Sequence, residues 1–469
     1  MTQATGEQPA ARRRRGDRLE VEIESLAFGG RGVARADGMV VFVAGALPGD
    51  RVVAEITKAK RRFAEAHTVE LLSPGAERIP DACTHGGEPC PGAPLQGLPY
   101  ERQLTYKAEQ VGDALRRIGG LDGFEQEPIE PALEQWRYRN KLEYSFGADE
   151  AGDPVLGFHA RGRWDLIVDV EDCMLASEPG NAARNAVREW ARVESIAAYD
   201  ARTRDGVLRN LAVREGRRTG QIQTRLVTTA SRFPRPPVDL HTVIEGDAGD
   251  TDGPTGALGS ERLREELCGL KLEMSHAAFF QTNTEMAERL YAVAAEFAGL
   301  SGSERVFDLY CGIGTIGLTM AAQAGEVWGL EIVPDAIADA ERNAKRNKIE
   351  NAHFIAANAR TGVRPLIEQA GKPDVVVIDP PRAGLSQKIV RRLIECEAKR
   401  IVYVSCNPTT LAPNAAQLAE AGYRLTRVRP VDMFPQTPHI ECVAQFDKAD
   451  GPISSPIRTK SAHRPPEGA

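Results

Sequence analysis

Residues 276–447 read as an open, doubly wound α/β sheet, and three observations predict it. Short runs of β-branched and aromatic residues, such as Ile401–Val404, alternate with stretches of helical periodicity. Those runs stop at polar residues: Asp308, Glu331, Asn358, Asp379 and Ser405. After the first run, Gly312, Gly314 and Gly317 stand in G-x-G-x-x-G spacing ahead of a helix. Such glycines let backbone approach a cofactor and tighten the turn into the helix.

The elements follow in order. A helical stretch over 284–297 precedes ERVFDL, a strand ending at Asp308. EVWGLE ends at Glu331, whose carboxylate is placed to bind two ribose hydroxyls. It follows Gly312 by 19 residues, so the glycine pattern alone leaves a dinucleotide dehydrogenase open. A helix over 335–347, the strand AHFIAAN and another helix come next, then PDVVVID with Asp379-Pro380-Pro381-Arg382 at its end. A helix near 386–397 leads to RIVYVSCNPTT (400–410), where the strand stops at Ser405 and Pro408 forces Asn407 into an extended or turn form. Cys406 therefore sits at a strand's C-terminal end, where open α/β sheets hold ligands. As a residue on its own it also reads as a structural thiol. A helix over 411–421 and the strands YRLTRVRPVD and IECVAQF complete seven strands.

Ahead of this sheet the composition changes. Residues 1–16 end in the run Arg12–Arg15 and read as a disordered basic tail. Residues 17–72 hold four or five short alternating runs split by glycines, the pattern of a small closed β-barrel of OB type. Residues 11–72 carry 12 Lys+Arg against 9 Asp+Glu, whereas the whole chain is at −7. Lys58, Lys60, Arg61 and Arg62 beside Phe63 form a candidate single-strand contact. Residues 75–275 read as a mixed, strand-rich central region with a cysteine loop at 83–93 and a helix over 100–118. Arg137, Arg139, Lys141, Arg161 and Arg163 interleave there with Tyr138, Tyr144, Phe158 and Trp164, a texture that suits RNA. The polar loop 246–260 and the tail 448–469 read as flexible.

At 469 residues the chain has room for two or three domains and a large core. No apolar run approaches the length of a membrane span, and the N-terminal arginines lack a following apolar run, so neither a membrane protein nor a secretory signal is expected. The eight cysteines are widely spread, which excludes a disulfide framework and points to a reducing cytoplasm. A monomer is the default expectation.

Four motifs, SHAAFFQTN, DLYCGIGTIGL, DPPRAG and SCNP, agree in order and spacing and are followed by DMFPQTPHIECV. Together they closely resemble the class I SAM-dependent RNA 5-methyluridine methyltransferases that carry an N-terminal TRAM domain. The resemblance covers about residues 17–447. It implies a Rossmann-like methyltransferase domain, S-adenosyl-L-methionine (SAM) as cofactor and RNA as substrate. It also implies 23S ribosomal RNA before transfer RNA, because relatives with a TRAM barrel lean that way. Carried over residue by residue, it makes Cys406 the nucleophile and Glu441 the base. Gln281, Tyr310, Thr315, Glu331, Asn358 and Asp379 become the SAM contacts. Thr315 and Asn358 depart from the Asn and Asp of some relatives. Many relatives carry a 4Fe–4S cluster on four cysteines. Cys83, Cys90 and Cys173 match three of them, but Ala93 stands in the fourth place, which weighs against an occupied cluster. Amino or cytosine-C5 methylation, and a non-catalytic RNA-binding or ribosome-assembly protein on the same fold, are the competing expectations. The pair Cys406 and Glu441 argues against a pure binder, which needs neither.

Overall fold

The computed structural model describes residues 13–85, 88–160, 163–229, 233–236, 240–245 and 262–449. The start of the basic tail, Arg161, the loop 246–260 and the tail from 450 lie outside them. The chain divides into two compact units. One gathers the chain up to Gln110 with Ala160–Trp164 and Phe434–His439; the other holds Val111–His159, Asp165–Met433 and the chain from Ile440. The expected central region, 75–275, is thus shared between them.

In the first unit, six strands pair in the order 18–22, 51–59, 63–73, 39–44, 32–36, 25–26. The first and last are two halves of one run, so the sheet closes into a barrel. Leu19, Val21, Ile23, Val41, Val43, Val52 and Ile56 fill its core, each on an inward position of a period-two pattern. The expected disordered tail ends earlier than residue 16: the Gly16 amide donates to the Ile56 carbonyl at 2.9 Å, and Arg13 pairs with Asp37. Phe63 packs edge-on against Phe42, with ring centroids 5.9 Å apart. Lys60, Arg61 and Arg62 are exposed beside it.

The second unit holds the expected α/β sheet. Its strands are β1 (Arg305–Leu309), β2 (Glu326–Glu331), β3 (Ala352–Ala356), β4 (Val375–Ile378), β5 (Arg400–Ser405), β6 (Tyr423–Val431) and β7 (Glu441–Lys448). They lie in the order β3-β2-β1-β4-β5-β7-β6, with Glu125–Gln126 as an eighth, edge strand beside β6. Strands β1 to β5 are parallel, and β7 runs antiparallel to both β5 and β6. Strands β4 and β5 are buried over nearly their whole length, as continuous apolar runs require when helices cover both faces. Those helices are α1 (Thr284–Ala298), α2 (Thr315–Met320), α3 (Pro334–Arg346), α4 (Ala359–Ala370), α5 (Gln387–Cys396) and α6 (Pro408–Glu420). The chain leaves β1 in one direction for β2 and β3, then returns to β4 on its other side. The switch point, where such sheets bind ligands, therefore lies between the ends of β1 and β4.

A second sheet, which lies in this unit except for residues 160, 163 and 164, orders 163–169, 154–160, 141–148, 208–216, 221–228 and 240–245. It corrects one expectation about RNA stacking. Tyr138 and Tyr144 are both 1% exposed, so their rings belong to the core. Arg137 is held by Asp172, at 2.5 and 2.6 Å, and Lys141 by Glu143 at 2.8 Å. Trp164, at 66% exposure, is the ring of that group that faces solvent.

Candidate active site

The polar strand ends meet at one edge of the sheet. Beyond β1, Tyr310 adopts a left-handed backbone with φ +65°, uncommon for a side chain of this size. Its amide and that of Cys311 both donate to the Leu330 carbonyl, at 2.9 and 3.2 Å, which lays the glycine loop across the end of β2. Gly312 takes φ +54°, and a Cβ built there would meet nothing within 4 Å. The loop thus presents bare backbone to open space. At Gly317 a Cβ would come within 2.9 Å of Asp308 Oδ2, the atom that accepts the Gly317 amide at 2.8 Å. Glu331 Oε1 accepts the amides of Ile332 and Val333 at 2.7 and 3.0 Å, and Oε2 accepts that of Gly312 at 3.3 Å.

The remaining candidates for cofactor contacts differ in how free they are. Thr315 opens α2, is nearly buried, and has its hydroxyl 3.2 Å from that of Tyr291. Asn358 is exposed and caps α4, its Oδ1 accepting the Arg360 amide at 2.9 Å. Gln281 is buried just before α1. Asn140 fixes its backbone, donating from Nδ2 to the Gln281 carbonyl at 2.9 Å. The cap of α1 is Asn283, not Gln281.

At the end of β5, Asn407 is extended (φ −147°, ψ 95°) and caps α6, which begins at Pro408 in the favoured first-turn position. The Asn407 amide also donates from Nδ2 to the Arg382 carbonyl at 3.1 Å, and Thr410 Oγ1 donates to the same carbonyl at 3.3 Å. Asn414 on α6 clamps both backbone groups of Leu385 at 2.9 Å and accepts the Tyr403 hydroxyl at 3.1 Å. The turn bearing Cys406 is thereby tied to the turn that follows Asp379. Strands β5 and β7 pair Ser405 with Cys442; Cys406 follows the end of β5 and Glu441 opens β7, near enough for its carboxyl to act on the thiol.

Electrostatics bind the same residues together. Burial, then the nearby Glu441 and Asp379 carboxyls, push the Cys406 thiol up to about 12, with Arg382 acting against them. Glu441 is 4% exposed and is held well above the usual carboxylate range by burial and by Asp379. Asp379 is pushed up to about 7 by burial and by Asp308. Asp308 is pushed up to about 7 by burial, with Glu331 adding to it and the Gly317 amide opposing it. A line of mutually repelling carboxyls therefore runs from Glu331 through Asp308 and Asp379 to Glu441. Such a cluster favours a bound cation.

A family profile for tRNA (uracil-5-)-methyltransferases matches residues 260–449, and a TRAM-domain profile matches residues 12–69. An uncharacterized RNA methyltransferase of Clostridium tetani is 36% identical over 462 residues, covering 93% of this chain and 99% of its own. The chain belongs to the SAM-dependent RNA (uracil-C5) methyltransferases. A Porphyromonas gingivalis RNA methyltransferase is 39% identical over 460 residues, covering 90% of this chain and 98% of its own. Among solved structures, the Pyrococcus abyssi tRNA (uracil-54, C5)-methyltransferase in complex with S-adenosyl-L-homocysteine matches with a TM-score of 0.74 and 28% identity. The match covers 91% of this chain and all of that one.

Two residues of this methyltransferase that stand inside motifs without an assigned role emerge from the geometry. Asp308 is fully buried with one oxygen, Oδ1, lacking a hydrogen bond. Arg382 is exposed and bears on the Cys406 thiol. The cysteine loop offers a different set of groups from the one expected. Cys83 and Cys90 come together with His85, and Ala93 is completely buried. Cys173 belongs to the other unit, where Asn181 binds both its backbone groups. Four cysteine thiolates, the donor set of a 4Fe–4S cluster, do not fit a loop in which one position is alanine and a histidine stands beside two thiols.

Proposed function

We propose that this methyltransferase acts on C5 of a uridine in RNA through a covalent adduct on Cys406. The observation that carries the reading is a thiol and a buried carboxyl, Cys406 just past the end of β5 and Glu441 at the start of the neighbouring β7, with Asp379 acting on both. SAM supplies the methyl group as a sulfonium cation. The open backbone at Gly312 and the carboxyls of Glu331, Asp308 and Asp379 suit that charge. We assign Gln281, Tyr310, Thr315, Glu331, Asn358 and Asp379 to its pocket.

Uracil C5 is a poor nucleophile until a thiolate adds at C6. Cys406 gives its proton to solvent and forms the S–C6 bond, and the C5–C6 π electrons pass to an enolate whose C5 takes the methyl group, the S–CH3 bond of SAM breaking to leave S-adenosyl-L-homocysteine. Glu441, which must first release its own proton, then removes the proton left on C5 as a carboxylate. The C5–C6 double bond reforms and the S–C6 bond breaks, freeing Cys406. Burial and the nearby carboxyls favour the protonated thiol in the free protein, so Cys406 has to be activated when substrate binds. Arg382 stabilises the thiolate when it forms. Reaching C5 and C6 requires a flipped base or a single-stranded loop.

Ribosomal RNA is the first substrate to test, on the strength of the TRAM barrel. Transfer RNA is the second reading, favoured by the solved relative, which acts on tRNA and aligns with 91% of this chain. The donor set of the cysteine loop supports a reading without a 4Fe–4S cluster. The test is transfer of labelled methyl from SAM into unmodified ribosomal and transfer RNA, followed by nucleoside digestion. Label in 5-methyluridine is expected. Label in 5-methylcytidine or an N-methylated base, or SAM binding without transfer to any RNA, would overturn the assignment.

A further inference from the structure

The loop from Cys83 to Cys90 gathers three donors that methyl transfer does not use. Ligand atoms of Cys83, His85 and Cys90 all lie within 4.8 Å of one another, and Cys83 Sγ is 3.5 Å from His85 Nε2. Both cysteines are buried and the histidine is partly so. The arrangement is built by the fold. Thr84–His85 and Glu88–Pro89 pair as a short hairpin, and the Cys90 amide donates to the Cys83 carbonyl at 3.0 Å. Gln96 holds both backbone groups of Cys83, at 2.7 and 2.8 Å, and the Ala93 amide donates to the Cys90 carbonyl at 3.2 Å.

Two thiolates and an imidazole are the donors of a tetrahedral zinc site. Around such an ion, ligand atoms at the usual bond lengths stand about 3.3–3.8 Å apart, a contraction that side-chain rotation supplies. We propose that Cys83, His85 and Cys90 bind a single Zn²⁺ as a structural cross-link of this loop, with the fourth position open to water or another ligand. The loop's continuation holds a segment of functional interest. The Leu95 amide donates to the Gln436 carbonyl at 3.0 Å, and Gln103 Nε2 to Gln436 Oε1 at 2.8 Å. Gln436 belongs to Phe434–His439, which runs along the chain directly towards Glu441. The ion would thus stiffen the support of that segment.

The test uses the full-length protein, purified without a metal column from cells supplied with both iron and zinc. About one zinc per chain is expected by elemental analysis, without the visible absorption of an iron–sulfur cluster. Replacement by Co²⁺ should give thiolate-to-cobalt charge-transfer bands that Cys90→Ser weakens. His85→Ala should lower zinc affinity, measured by competition with a chromophoric chelator, by at least about tenfold while SAM still binds. Stoichiometric iron and sulfide would overturn the proposal. So would failure of the wild-type protein to retain zinc or cobalt, or a zinc affinity unchanged by His85→Ala.

Discussion

Cys406 and Cys83 both lie in loops, and their neighbours give them opposite chemistries. Around Cys406 stand Glu441 and Asp379, acids that repel a thiolate and favour a cation nearby. Around Cys83 stand a second thiol and an imidazole, soft donors that together favour a metal ion. Cys406 sits on a turn anchored by β5, α6 and the Arg382 carbonyl, so a substrate atom can be brought to it. Cys83 is buried, and Gln96 holds both its backbone groups. Thiol function here is decided by the surrounding charge and rigidity.

The largest effect should come from removing the reactive thiol. Cys406→Ala should lower methyl transfer on the order of 10⁴-fold or more, with SAM binding retained, in a single-turnover assay. Cys83→Ser should leave the methyl-transfer step within about tenfold, and an equal loss in both variants would erase the distinction between them. Glu441→Gln comes next. It should slow turnover by roughly 10²–10⁴-fold and let an enzyme–RNA adduct accumulate on denaturing gels, because the C5 proton cannot leave.

Asp379→Asn should weaken SAM binding by about tenfold or more by calorimetry, while S-adenosyl-L-homocysteine, which lacks the sulfonium charge, changes less. The same carboxyls set a pH dependence. Asp308 and Asp379 are pushed up to about 7, above their unfolded values, so ionising them opposes folding of the ligand-free protein. Their contribution to its stability is greatest at low pH and declines as pH rises through about 7. SAM affinity should move the other way, rising through the same window and then levelling. A thermal-shift series with and without SAM across that range checks both signs. The smallest effect belongs to the scaffold: Asn414→Ala should cost about 1–3 kcal/mol in denaturant unfolding, because it leaves the Leu385 backbone groups and the Tyr403 hydroxyl without partners.

Much of this was legible in the sequence where one residue type had one physical use. Continuous β-branched runs can bury only as central parallel strands, which fixed β4 and β5 and the polar residues at their ends. Helix α6 begins at Pro408, three residues ahead of the expected 411, because proline at the first turn with Asn407 as cap is itself a start signal. Glu125–Gln126 was not legible, since two residues carry no period and pair only because β6 offers an edge. The positions of Tyr138 and Tyr144 also escaped, as alternation with cations does not say which face is the core. At the site, Cys406, Glu441 and Asp379 carried motifs. Asp308 stood in one too, but its significance lies in total burial, which no spacing reveals. His85 joins Cys83 and Cys90 only once the hairpin turns it towards them.

The most direct measurement of the central claim is the site of covalent attachment to RNA containing 5-fluorouridine in the presence of SAM. Fluorine at C5 cannot be removed as a proton, so the adduct should persist. Mass mapping of the digested complex is predicted to place the nucleotide on Cys406, with no adduct in Cys406→Ser. An adduct on another residue, or normal turnover by Cys406→Ser, would contradict the account.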